Sequence, residues 1–134
     1  MYKMPNGPTA YFDVDDTLIM WTRPNHDTPK HDIVEVTTRG VKDSFVVNHH
    51  NVEYLKKLSI RGHAIFVWSA GGSCWAEAVI KALKLEKYVW AVGSKPTYFV
   101  DDIKDPRQFV GKHVYYDVNG VRTGFVPNNL EDDT

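Results

Sequence analysis

Apolar residues recur along this chain in short bursts of two different periods, and the change from one period to the other predicts its elements. Residues 9–14, Thr-Ala-Tyr-Phe-Asp-Val, read as a short buried strand between Asn6-Gly7-Pro8 and a run of aspartates. Residues 33–38 and 41–47 are rich in β-branched and aromatic side chains and turn at Arg39-Gly40, which predicts a projecting hairpin. Asn48 is a suitable cap for a helix carrying Val52, Tyr54, Leu55 and Leu58 on one face, with Gly62 as its stop. Residues 64–68, Ala-Ile-Phe-Val-Trp, form the continuous apolar run of a strand covered on both sides. Beyond Ser69-Ala-Gly-Gly-Ser, the spacing of Trp75, Ala76, Val79, Ile80 and Leu83 predicts a helix over 73–85. Two more short strands are expected at 88–92 and 97–100.

Strands that alternate with helices predict an α/β fold with a mostly parallel sheet and right-handed crossovers. Such sheets bind ligands beyond the C-terminal ends of their strands. Near the end of the chain, residues 113–118 and 121–126 flank Asn119-Gly120, a hairpin signal that predicts an antiparallel edge. Residues 128–134 read as a frayed acidic tail. No repeat, low-complexity tract or linker interrupts the pattern, so residues 1–134 read as one domain.

Composition narrows the picture modestly. Hydrophobic residues are 43% and charged residues 25% of the 134, the balance of a globular protein. With 16 Lys+Arg against 17 Asp+Glu, no global charge advertises a nucleic-acid binder. The single cysteine, Cys74, excludes an internal disulfide framework and fits a reducing, cytoplasmic setting. Residues 1–10 lack the apolar core of a secretion signal, and no stretch approaches the ~20 apolar residues of a membrane helix.

Chemistry concentrates where the predicted strands end. Asp13 and Asp15 follow the first strand, Ser69 the one at 64–68, and Asp101 with Asp102 the one at 97–100, while Lys95 lies just before that last strand. A parallel sheet gathers these at one edge, where several carboxylates need a cation to offset their repulsion. Oxygen-only ligands suit Mg²⁺, which is commonly held by one or two carboxylates together with waters and a phosphate oxygen. In such a site one carboxylate, Asp13, can attack phosphorus while a second, Asp15, protonates the leaving oxygen and later activates water. The Ser69 hydroxyl, the backbone amides after it, beginning at Ala70, and the Lys95 ammonium can neutralise the phosphoryl oxygens.

The same residues carry a family resemblance. Phe12-Asp-Val-Asp-Asp-Thr-Leu resembles the D-x-D-x-T signature of the haloacid dehalogenase-like (HAD) hydrolase superfamily. Val67-Trp-Ser, Lys95-Pro96 and Phe99-Val-Asp-Asp resemble its second, third and fourth motifs, in the right order and between Tyr11 and Asp105. The resemblance implies a Rossmann-like three-layer sandwich, Mg²⁺, an Asp13 nucleophile, an Asp15 acid/base, and substrate-phosphate contacts from Ser69 and Lys95. It also implies metal binding by Asp13, by the backbone carbonyl of Asp15 and by a fourth-motif aspartate. Asp102 is the favoured direct ligand, with Asp101 as the alternative or, like Asp105, a support. An acid/base aspartate two residues after the nucleophile is the phosphatase pattern of that superfamily.

About 50 residues separate the first two motifs, enough for a hairpin flap at about 20–47 and one helix but not for a large cap. Among the enzymes it resembles, such openness goes with an accessible or large phosphorylated substrate, a nucleic-acid end or a protein, or with a neighbouring subunit serving as the lid. A polynucleotide 3′-phosphatase or nucleotidase of the same superfamily is one alternative, and the loop with Trp21, Arg23, His26 and Lys30 has the side chains for single-stranded ends. A non-catalytic protein that binds phosphate or metal on the same fold is another. Nothing in the sequence speaks to the oligomeric state.

Other chemistries fit less well. An EF-hand beginning at Asp13 would place Leu18 where glycine is needed and Pro24 where a bidentate glutamate belongs. A cysteine phosphatase built on Cys74 needs an arginine where Ile80 stands. His26, His31, His49, His50, His63 and His113 have no metal-site spacing, and Trp75 reads as a core residue.

Overall fold

The structure, a computed structural model, describes residues 7–105, 115–116 and 122–123. The expected tail at 128–134, the Asn119-Gly120 turn and His113 lie outside the described residues.

The central element is β5 (Ala64–Ser69), which pairs in parallel with β1 (Thr9–Asp13) on one edge and β6 (Ala91–Ser94) on the other. Helix α1 (His49–Ile60) connects β1 to β5, and α2 (Ser73–Ala82) connects β5 to β6. Successive strands step across the sheet in the same direction, so right-handed crossovers put both helices on one face. Packing agrees with this. Phe12, Val14, Ile65 and Val67 share a single buried cluster with Val52, Leu55 and Leu58 of α1 and Ala76, Val79 and Ile80 of α2. The opposite face carries aromatic side chains, with Tyr11 stacked on Phe66 at 4.7 Å between ring centres and tilted against Trp68 at 4.5 Å. Of the three expected layers, the described residues therefore build the sheet and one helix layer, a mixed α/β architecture without a large cap.

The hairpin of β3 (Ile33–Thr38) and β4 (Val41–Val47) forms as the sequence predicts, and β2 (Ile19–Met20) adds to β4 as a third antiparallel strand. Its turn residues Arg39 and Gly40 have φ of 53° and 78°, the double left-handed geometry of a tight hairpin turn. Unlike the projecting hairpin expected, this sheet is seated on the core. Val36 and Phe45 are 1% and 2% exposed, and both belong to the same apolar cluster as the helices. Apolar alternation fixes which face turns inward, but the partner that receives it, α2, is not written in the local pattern.

Two expected strands differ. Residues 88–92 begin as a 3-10 turn (Glu86–Tyr88) and become a strand only at Ala91, once the Trp90 amide reaches the Ile65 carbonyl at 2.8 Å. Residues 97–100 form no strand. Tyr98 and Val100 are 83% and 95% exposed, so two of the four side chains stay in solvent and the run does not dock on the sheet, although the outer edges of β1 and β6 have no partner strand among the described residues. At the end of the chain, β7 (Tyr115–Tyr116) pairs antiparallel with β8 (Arg122–Thr123), as the hairpin signal predicts.

Both helices end in the same way. In α1 the His63 amide donates to the Leu58 carbonyl and the Gly62 amide to Ser59, with Gly62 at φ 96°. In α2 the Leu85 amide donates to Ile80 and the Lys84 amide to Lys81, with Lys84 at φ 57°. These are paired Schellman stops, and they end α2 at Ala82 rather than Leu85. Glycine enters the left-handed region freely whereas a side chain does so at a cost of ~1–2 kcal/mol, so the two positions respond in opposite directions. Gly62→Ala lowers stability by about 1 kcal/mol, and Lys84→Gly raises it by about 0.5–1 kcal/mol, partly offset by the freer unfolded chain. Urea midpoints measure both; shifts of the same sign would show that these ends are not controlled by backbone conformation.

Candidate active site

Asp13 occupies the last position of β1, paired in register with Trp68 of β5, one residue before Ser69. Ser69 in turn is level with Ser94, the residue before Lys95. The parallel ladders thus deliver an aspartate, a serine and a lysine to one sheet edge by counting alone. The Lys95 ammonium lies 3.5 Å from Asp13 Oδ1, and the Thr17 hydroxyl donates to Asp13 Oδ2 at 3.4 Å. Both oxygens of the carboxylate thus have a positive or donor group at the outer edge of contact, and the Asp13 side chain stays 30% exposed to solvent.

The loop after Asp13 is held from within. The Val14 carbonyl accepts amides from Thr17, Leu18 and Ile19, and the Asp16 amide donates to the Ile19 carbonyl at 2.7 Å. Asp16 itself sits at φ 60°, a conformation that aspartate tolerates better than most residues, and its carboxylate accepts the Trp21 amide. Two buried asparagines pin the loop to α1. The Asn51 side chain donates to the Thr17 carbonyl at 2.8 Å, and the Asn48 amide donates to the Leu18 carbonyl at 2.9 Å while the Asn48 side chain caps α1. The cap was legible in the sequence; the Asn51 anchor was not, because its partner is distant in the chain.

Asp15 is half-buried, and its Oδ1 accepts the indole N–H of Trp75 at 2.9 Å. Sequence reasoning took Trp75 for a core residue, and only the fold shows its nitrogen reaching the aspartate loop. Its ring packs edge-on to Phe45 at 5.6 Å and beside Trp21 at 6.5 Å. Trp21 is half exposed at 51%. Two residues further on, Arg23 pairs with Asp43 on β4, and that guanidinium, helped by the Ser44 amide, holds the Asp43 carboxyl below its usual range.

On the other side of the site, Ser69 is fully buried and its oxygen accepts the Gly71 amide at 3.0 Å, which folds the turn through Ala70. The Ser69 carbonyl accepts the amides of Gly72 and Lys95, so the phosphate-contacting residues named from sequence are physically linked. Asp101 and Asp102 stand apart on the exposed segment after Pro96. The Asp102 carboxyl and the Ile103 amide hydrogen-bond to Asp101 and hold its carboxyl below the usual range, with the amide at 3.0 Å. Among the described residues, no three acidic, histidine or cysteine side chains converge closely enough to enclose an ion. The donor chemistry still suits a hard cation that binds few protein groups, because Asp13 and Asp15 offer oxygen alone and Mg²⁺ retains waters. No helix among the described residues is long and apolar enough to cross a membrane.

Comparison with known proteins gives one result. The family model of the NLI interacting factor-like phosphatases matches residues 8–113, which take in β1, the hairpin, both helices and all four motif segments. No curated protein and no solved structure matches the chain significantly. The match covers most of the 134 residues and runs through the site assembled above, so this chain belongs to the NLI interacting factor-like phosphatases, a family of the haloacid dehalogenase-like kind.

Proposed function

We propose that this phosphatase hydrolyses phosphate monoesters through an aspartyl-phosphate on Asp13, with Asp15 as general acid and base and Mg²⁺ as cofactor. The observation that carries the reading is the pair of aspartates at the end of β1, one open to solvent between Lys95 and Thr17, the other fixed two residues away by Trp75. An Asp13 oxygen attacks phosphorus and forms the P–O bond as the bond to the leaving oxygen breaks, and the Asp15 carboxyl gives its proton to that oxygen. Water then attacks the same phosphorus, Asp15 takes a proton from it, and the bond to Asp13 breaks to release phosphate. Lys95 and the amide of Ala70 neutralise the phosphoryl oxygens through both steps, while Ser69, fully buried with its oxygen on the Gly71 amide, reaches them only if the turn opens.

Asp13, the Asp15 carbonyl and a fourth-motif aspartate are the groups we assign to Mg²⁺, which when bound supplies positive charge to the phosphoryl group. Asp102 is the ligand we prefer, with Asp101, which is hydrogen-bonded to it, as the alternative or supporting group. We read residues 1–134 as one phosphatase domain. The substrate we infer is an accessible or large phosphorylated molecule, since Asp13 stays partly exposed and the antiparallel sheet is committed to the core rather than free to cover the site. A cytoplasmic setting belongs to the same reading, because Cys74 is an exposed thiol.

Two outcomes test the proposal. Asp13→Asn lowers kcat on the order of 10³-fold or more and Asp15→Asn by about 10²–10⁴-fold, read by phosphate release across a panel that includes 3′- and 5′-phosphorylated oligonucleotides. Full activity in Asp13→Asn would require another nucleophile. Chelation with EDTA abolishes turnover and added Mg²⁺ restores it; turnover that survives chelation would remove the metal from the mechanism.

A further inference from the structure

Trp75 reaches Asp15 across 60 positions of sequence, and nothing in a core role requires its nitrogen to be there. The backbone around Asp15 is already fixed by the Val14 carbonyl and by the bridge from Asp15 to Ile19, so the remaining freedom lies in the rotamer of the carboxylate. The indole N–H removes it. The indole is itself fixed from several sides. It stands in the first turn of α2, whose next buried residues, Ala76 and Val79, are fully enclosed, and Phe45 and Trp21 pack against its ring. Gly71 completes the seat. A Cβ at that position would lie 3.1 Å from Trp75 Cδ1 and 3.3 Å from the Ser69 hydroxyl oxygen, closer than side chains ordinarily pack.

We infer that Trp75 is a positioning residue that holds the Asp15 carboxyl in the direction needed to protonate the leaving oxygen, with Phe45 and Trp21 transmitting the seat of the antiparallel sheet to that carboxyl. This rests on the acid/base role proposed for Asp15. An indole N–H is a donor alone and cannot exchange roles with the carboxyl during turnover, so it orients the acid without competing for its proton. Misdirection of a proton donor is felt most where the leaving group needs the proton.

The test compares kcat/KM, which reports the first phosphoryl transfer, for p-nitrophenyl phosphate and for glycerol phosphate, whose alkoxide leaves only with a proton. Trp75→Phe keeps an aromatic ring and removes the donor. It lowers kcat/KM for glycerol phosphate about tenfold and for p-nitrophenyl phosphate less than twofold, and it adds nothing in an Asp15→Asn background. Equal losses on both substrates, or losses that multiply with those of Asp15→Asn, would make Trp75 merely structural and overturn the inference. If Trp75→Phe does not fold, Phe45→Leu loosens the seat of the indole while retaining it, and the same selectivity is expected. A readout independent of turnover is the indole Nε1–H resonance of Trp75, which moves upfield and exchanges faster in Asp15→Ala; an unmoved resonance would show that the bond is not formed. The two levels separate cleanly. If Asp13→Asn is inactive and Asp15→Asn discriminates between the substrates but Trp75→Phe does not, the positioning role alone fails. If Asp15→Asn does not discriminate, the acid/base reading fails and takes this inference with it.

Discussion

Parallel pairing on both edges of β5 is the constraint from which the site follows. A parallel ladder fixes the level of every strand end, so once Phe12 is opposite Val67, Asp13 must stand beside Trp68, and Ser69 beside Ser94. Hydrophobic burial sets that register. Ile65 and Val67 are fully enclosed against the helices, and a slip of one residue would turn them to the opposite face and bring Phe66 and Trp68 inward. The chemistry at the sheet edge is thus held by apolar contacts that take no part in it.

What the ladders cannot fix is the loop that leaves β1, and there polar interactions take over. Buried amides and side-chain amides satisfy the backbone of residues 14–19 from inside the molecule, and Asn48 and Asn51 do so while 0% and 6% exposed. Leaving one such carbonyl unpaired would cost about 1–3 kcal/mol, comparable to a substantial fraction of a small domain's net stability. The loop is therefore rigid for energetic reasons, and its rigidity is what allows Asp13 and Asp15 to have separate environments, one between a lysine and a threonine, the other under an indole.

Much of this was readable from local pattern. The Arg39-Gly40 turn, the Asn48 cap, the Gly62 stop and the strand expected at 64–68 each depend on residues within a few positions of one another, and each forms, the strand one residue longer. The aspartates after β1 and the Ser69 turn were found for the same reason. Residues 88–92 and 97–100 were misread, in part and in whole, because an apolar run looks like a strand whether or not it docks on a sheet. Trp75 was misjudged in a different way. Helical spacing showed correctly that its ring faces inward, but an amphipathic side chain has two ends, and the destination of the nitrogen depends on a loop 60 residues earlier. Lys84 escaped notice because left-handed stops are expected at glycine.

The central claim is that phosphate passes through Asp13 rather than directly to water. The stereochemical course at phosphorus, followed with an isotopically chiral phosphate ester, tests it most directly, because each in-line displacement inverts the configuration. Two displacements, onto Asp13 and then onto water, predict net retention. Net inversion would mean a single attack by water and would contradict the covalent role assigned to Asp13.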